Sequence, residues 1–166
     1  MCIGIFKKEN FEIVNNPKDA EIIIINTCGF IESAKEEAIN CILEMAEFKK
    51  TGNCKYLIAM GCLVQRYKAD LEKALPEVDL FLSIDEYDNL WEKVAKLIKV
   101  ESKSKNTLDY MDRIISTGSA TAYLKIAEGC SNRCTYCAIP YIRGPFVSRK
   151  MEDVLEEAKK LAQSRN

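Results

Sequence analysis

The 166-residue chain contains no histidine. That absence removes every zinc site built with imidazole, the usual proton shuttle near neutral pH and the Cys–His nucleophile pair. A secretory signal is also missing: "MCIGIFKKENF" meets charge too early and carries no small-residue cleavage site. The longest aliphatic run, "EIIIIN" at 21–26, is far too short to span a bilayer, so no membrane partner is expected. Lys and Arg number 24 against 25 Asp and Glu, a formal net charge of -1. Such a chain has no basic field with which to hold nucleic acid on its own. No repeat of fixed period and no low-complexity tract interrupts it.

What is present is a hydrophobic fraction of 48%, a charged fraction of 30% and eight cysteines. The two fractions are those of a soluble globular protein, and the length suffices for one domain with a real core, or for one domain plus a fragment of another. Eight cysteines without an export signal indicate a reducing, cytoplasmic compartment, where thiols serve metals or redox chemistry rather than disulfides.

Strand and helix patterns alternate, which predicts an α/β fold with an open parallel sheet. "FEIV" (11–14) is read as a short strand and "NNPKDA" as a turn. The all-apolar "EIIIIN" is expected to be a central parallel strand covered on both faces. "ESAKEEAINCILEMAEFKKTG" carries Ala34, Ala38, Cys41, Ile42, Met45 and Phe48 at helical spacing, with Gly52 as the stop. "YLIAM" (56–60) and "LFLS" (80–83) read as strands, "VQRYKADLEKAL" and "YDNLWEKVAKLIKV" as helices. The first domain is thus expected over 1–99. Residues 100–120 are polar and aperiodic and read as a linker. From 121 to 166 the pattern is one strand ("TAYLKIA", 121–127), a cysteine-rich loop and the amphipathic helix "MEDVLEEAKKLAQ". One such unit cannot bury its own apolar face. The second domain is therefore expected to be cut short at its end, and the first at its beginning, where "MCIGIFKKE" resembles the tail of a helix.

Cys130, Cys134 and Cys137 are spaced C-x3-C-x2-C, immediately after that last strand. Thiolates are soft ligands that select zinc, copper(I) or iron–sulfur clusters. A closed zinc site wants four ligands, and here the local set is three. A four-iron cluster held by three cysteines leaves one iron open to a small molecule. The C-x3-C-x2-C strand-loop motif resembles that of radical S-adenosylmethionine enzymes, which implies S-adenosylmethionine at the open iron and, with one electron from the cluster, a carbon radical. A loop after a strand and before a helix is also where a βα-barrel keeps its active site. Tyr136, just before the third cysteine, suits the same pattern. The competing readings are a zinc knuckle completed by another cysteine, and unrelated buried thiols.

Cys28, in "INTCGFIESA", and Cys62, in "AMGCLVQRY", each fall just past a predicted buried strand. In open α/β sheets the crevice beyond the carboxyl ends of the strands is the binding site, and the neighbouring Gly29 and Gly61 let backbone approach a bulky group. Two thiols there suggest a second metal site; two ordinary strand-end cysteines are the plain alternative. Cys41 is read as core, Cys54 as a turn residue and Cys2 as part of the first helix, none of them a ligand.

"NTCGFIESAKEEAI", "GCLVQRY", "LPEVD" and "KIAEGCSNRCTYCAIPYIRGPFVSR" together resemble the methylthiotransferases of the radical S-adenosylmethionine class. The resemblance covers nearly the whole chain. It implies an N-terminal α/β domain with an auxiliary [4Fe-4S] cluster, a radical barrel and a small C-terminal β domain. "TCGFIESAKEE" and "RGPFVSR" are similar to the branch that modifies an aspartate of a small-subunit ribosomal protein. The branch that modifies isopentenylated adenosine in tRNA usually has a serine and a glutamate where Gly29 and Phe146-Val147 stand.

By motif, the resemblance implies that Cys130, Cys134 and Cys137 hold the radical [4Fe-4S] cluster, with Tyr136 beside the S-adenosylmethionine. Cys28 and Cys62 would be two of three auxiliary-cluster ligands. The family's first auxiliary cysteine lies in a "GCxKN" turn that this sequence lacks, and Cys2 does not match it. The implied reaction abstracts hydrogen from the aspartate β-carbon and transfers a methylated sulfur from the auxiliary site. An electron donor such as flavodoxin or ferredoxin is implied as a partner. Arg143 and Arg149 are candidates for positioning cofactor, with surface charge and packing as alternatives. A non-catalytic zinc or iron–sulfur module is the remaining alternative, and the 166 residues alone are expected to be inactive.

Overall fold

A computed structural model describes residues 2–101 and 121–163; the expected linker over 100–120 lies outside them apart from Val100 and Glu101. The chain divides into two compact units, Glu12–Thr107 and Met1–Phe11 with Leu108–Asn166.

The first unit is a three-stranded parallel sheet in the order β1-β2-β3, formed by Ile22–Thr27, Tyr56–Gly61 and Leu80–Leu82. Helices follow the strands. The helix α1 (Cys2–Lys8) belongs to the other unit; α2 (Glu32–Ala46) and α3 (Phe48–Thr51) join β1 to β2, α4 (Cys62–Ala74) joins β2 to β3, and α5 (Leu90–Ile98) follows β3. The alternation expected from the sequence is present. The expected single helix from 32 onward is broken at Glu47, which ends α2 and begins α3.

One apolar cluster joins Ile23 and Ile25 of β1, Leu57 and Ala59 of β2, Ala38 and Ile42 of α2, and Leu63, Val64 and Leu71 of α4. The alternate residues Ile58, Met60 and Leu82 point to the other face and are buried there. On β3 packs α5, which buries Leu90, Trp91 and Val94 outside that cluster. Fully burying side chains of this size stabilises by about 1.5–3 kcal/mol each.

Two expectations fail here, both for want of a pairing partner. Among the described residues β1 pairs only with β2, and its burial alternates; β2 is the covered central strand. Residues 11–14 form no strand, and Ile13 and Val14 are exposed.

In the second unit, α1 ends at Asn10, whose φ of 62° is one that asparagine tolerates. The Phe11 N–H then donates to Phe6 O at 2.9 Å, and the two rings meet edge to face at 5.6 Å. Two short strands, β4 (Ala127–Glu128) and β5 (Val147–Ser148), pair antiparallel around α6 (Ile139–Arg143), and α7 (Met151–Gln163) closes the described chain. The strand expected over 121–127 is therefore reduced to its last residue. Of the apolar stripe that the sequence of α7 predicts, Leu155 and Ala162 are exposed and Val154, Ala158 and Leu161 only half-buried; the buried residue of this helix is Glu157.

Candidate metal centres

At the carboxyl edge of the sheet, register places Thr27 opposite Gly61. The next residue in each strand direction is a cysteine, Cys28 and Cys62, so parallel pairing brings both to one edge. Three contacts fix the edge. The Thr27 hydroxyl donates to Met60 O at 2.7 Å in a buried bond. Gly61 has a φ of 112°, and a Cβ there would stand 2.4 Å from Thr27 O. Gly29 lies against the backbone of Leu63, with room for no side chain.

Cys28 is exposed and Cys62 half-buried. Cys62 is the first residue of α4, and neither α4 nor α2 has a side-chain cap on its N-terminus. The amides of a first helical turn favour negative charge beside them. Phe30 and Ile31 expose apolar surface next to Cys28.

Arg66, one turn into α4, donates to Gly29 O at 3.4 Å, and its guanidinium lies 5.0 Å from the ring centre of Tyr67. Lys35 of α2 approaches the same ring at 5.3 Å and is paired with Glu32. Sequence reasoning quoted "GCLVQRY" as a motif but assigned Arg66 and Tyr67 no role. Neighbouring residues on a regular helix diverge, so nothing local marked them as a pair.

The second set of thiols lies on the loop between β4 and α6. Gly129, with φ 71°, starts the loop; a Cβ there would stand 2.1 Å from Pro145 O. The Cys130 N–H donates to Gly144 O at 3.1 Å, and the Phe146 N–H to the Ser131 hydroxyl at 3.1 Å. Within the loop the Cys137 N–H donates to Cys134 O at 3.1 Å. The loop is thus hung between Gly129 and Gly144, with Cys134 exposed and Cys130 and Cys137 half-buried. Tyr136 is exposed as well.

Arg143 pairs with Glu128 at 3.2 Å. Arg149 donates to Lys125 O at 2.6 Å and pairs with the buried Glu157 at 2.5 Å. Both arginines therefore engage the frame that carries the loop.

The other thiols are differently placed. Cys54, read as a turn residue, precedes β2 but is buried in the main cluster, and Cys41 packs against it. Burial pushes the Cys2, Cys41 and Cys54 thiols up, with nearby Glu44 and Glu37 adding to it at Cys41. A ligand must be a thiolate, so these three environments disfavour that role. None of the eight cysteines forms a disulfide.

Among the described residues no three cysteine or carboxylate side chains converge on the position of a single metal ion. A single zinc needs that convergence. A four-iron cubane takes one thiolate per iron, so its ligands stand apart around the cage. Cys130, Cys134 and Cys137 share one loop, two of them half-buried and one exposed.

Comparisons with known proteins agree along the chain. The family described as "Uncharacterized protein family UPF0004" matches residues 1–83, and the radical SAM superfamily matches residues 124–166. A protein named ribosomal protein uS12 methylthiotransferase RimO, from Alkaliphilus oremlandii, is 62% identical over 160 residues, which is 96% of this chain and 36% of that protein. Proteins of the same name from Clostridium botulinum and Clostridium perfringens are 51% and 50% identical, over 93% and 99% of this chain. The chain spans 36% to 38% of the length of these relatives.

Proposed function

The chain belongs to the UPF0004 family and runs on into a radical SAM segment, and from that premise we propose that the whole protein adds a methylthio group to an aspartate β-carbon of ribosomal protein uS12. The observation that carries the reading is the 62% identity to a uS12 methylthiotransferase across 96% of this chain. The cysteine placement supports it. The relatives' shared name favours the ribosomal-protein substrate over the tRNA-directed alternative.

In this reading Cys130, Cys134 and Cys137 hold one [4Fe-4S] cluster, and Cys28 and Cys62 supply two ligands of an auxiliary one. With S-adenosylmethionine bound, such a cluster supplies a carbon radical. This chain's residues do the rest by placement. The close Gly129–Pro145 approach and the Cys130–Gly144 hydrogen bond tie the start of the three-thiol loop to the segment after α6. Arg143 and Arg149 hold its frame through Glu128, Glu157 and Lys125 O. Tyr136 stands exposed between two ligands, available to a cofactor. At the other edge, the uncapped amides of α4 and α2 face the charge that thiolate ligands bring.

We place the division at 1–99, 100–120 and 121–166, with action in the cytoplasm, where ribosomes are, and electrons from a flavodoxin- or ferredoxin-type donor. Among the described residues no helix is long and apolar enough to cross a membrane. The test is anaerobic reconstitution of the full-length protein with iron and sulfide, followed by incubation with uS12, S-adenosylmethionine and a reductant. Mass spectrometry should find one methylthio group on a uS12 aspartate. Modified tRNA with unmodified uS12 would move the protein to the other branch, and stoichiometric zinc without iron would end the enzymatic reading.

A further inference from the structure

The break in α4 is the feature the proposed function leaves unused. Tyr67 has φ -132° and ψ 25°, outside helical values, in the middle of that helix. On an unbroken helix, residues 66 and 67 would point about 100° apart. The break instead brings the Tyr67 ring under the Arg66 guanidinium, 5.0 Å from Cζ, while Lys35 approaches the same ring at 5.3 Å. Two cations thus share one aromatic ring beside the Cys28–Cys62 edge. Lys35 has a carboxylate partner in Glu32. Arg66 has none among the described residues; its hydrogen bond is the 3.4 Å one to Gly29 O, long for its kind. A guanidinium offers five N–H donors in a planar fork, and that fork matches a carboxylate in two parallel bonds. Lying over a ring restrains the guanidinium without using its donors.

We propose that Arg66, oriented by Tyr67, binds a carboxylate at the Cys28–Cys62 edge. This rests on the proposed function, which brings two carboxylates to the protein: that of the substrate aspartate and that of the methionine moiety of S-adenosylmethionine. The chemistry of recognition is shared, and the experiment separates the sources.

Two double-mutant cycles on the full-length, anaerobically reconstituted protein test it by equilibrium binding, with no turnover required. The first compares uS12 with a variant carrying asparagine at the modified aspartate, against wild-type protein and Arg66→Ala. The second compares S-adenosylmethionine with its decarboxylated analogue in the same pair. In one of the cycles the preference for the carboxylate should be about ten- to hundredfold larger in wild type than in Arg66→Ala, the range for charge-assisted hydrogen bonds. Arg66→Lys should recover part of it, because a lysine gives the charge without the fork. Coupling in the first cycle identifies the substrate carboxylate, and coupling in the second the cofactor's. Iron per chain is measured alongside and should be the same in all variants. No coupling in either cycle, or a loss of iron in Arg66→Lys equal to that of a Cys62→Ala control, overturns the proposal. Wild type that couples but transfers no methylthio group would fault the proposed function and leave the carboxylate site standing.

Discussion

A Cβ on Gly29 would lie 2.6 Å from Leu63 Cα and 2.8 Å from Leu63 N. The segment after β1 and the first turn of α4 therefore touch backbone to backbone, and this contact carries Cys28 up to the chain at Cys62. Gly29→Ala must push the two apart. We expect a loss of about 1–3 kcal/mol, as for other overpacking changes. Gly61→Ala should cost at least as much, since it adds a left-handed φ to a clash with Thr27 O. Denaturant unfolding measures both. Iron content of the full-length variants should fall with them, and unchanged iron would detach the glycines from the metal site.

Cysteine replacements should fall into three classes. Alanine at Cys130, Cys134 or Cys137 should remove one cluster's iron and abolish methylthio transfer. Alanine at Cys28 or Cys62 should lower iron by the other cluster's share. Cys41→Ala should leave iron unchanged, as should Cys54→Ala at a cost of about 1 kcal/mol in stability for the small volume lost from the core. Iron assay with visible absorption separates the classes, and iron loss on replacing Cys54 would contradict the burial argument.

Arg149 and Glu157 form an ion pair whose side chains are 13% and 2% exposed. Glu157→Ala takes the carboxylate from a largely buried guanidinium that keeps its bond to Lys125 O, and should cost about 3 kcal/mol. Replacing both with leucine should recover most of that loss, because a buried pair is often no better than well-packed apolar groups. Thermal unfolding of the two variants decides it. Equal losses would mean that two leucines do not make up for the Arg149 bond to Lys125 O, which they also remove.

Glu86 supplies a pH dependence. Burial by itself would raise its pKa, but Lys68, Lys93 and the Ser83 hydroxyl and amide all stabilise the carboxylate, and together they hold it well below the usual range. The unfolded chain then takes up the proton more readily than the folded one. Stability from this group is complete above the ordinary glutamate value of about 4.3 and is lost as pH falls below it toward the folded-state value. Glu86→Gln should lose roughly 1–2 kcal/mol at neutral pH and show a flatter decline in acid. Parallel urea titrations from neutral to acid pH give the comparison; identical slopes in the two proteins would remove Glu86 from the acid transition.

Much of the fold was legible locally. The apolar spacing of α2 and α5 matches the faces they bury, because helical period is a property of the segment itself. The thiol spacing of the 130–137 loop was equally plain. Strand status was less so. "FEIV" and most of "TAYLKIA" have strand-like sequences and no partner among the described residues, so they are not strands. Being a strand depends on a neighbour, and the neighbour is not encoded in the segment.

The sequence by itself determined which atoms are available for chemistry: soft thiols, no imidazole, and three cysteines in one short loop. It also determined that Cys28 and Cys62 each follow a strand. Only the tertiary structure decided that those strands are adjacent and in a register that sets Thr27 against Gly61, which brings both cysteines to one edge. It alone broke α4 at Tyr67 and turned Arg66 toward Gly29. It alone engaged Arg149 with Glu157. The reason is range: composition and period act within a segment, whereas pairing, close backbone approach and charge partners join residues far apart in the chain.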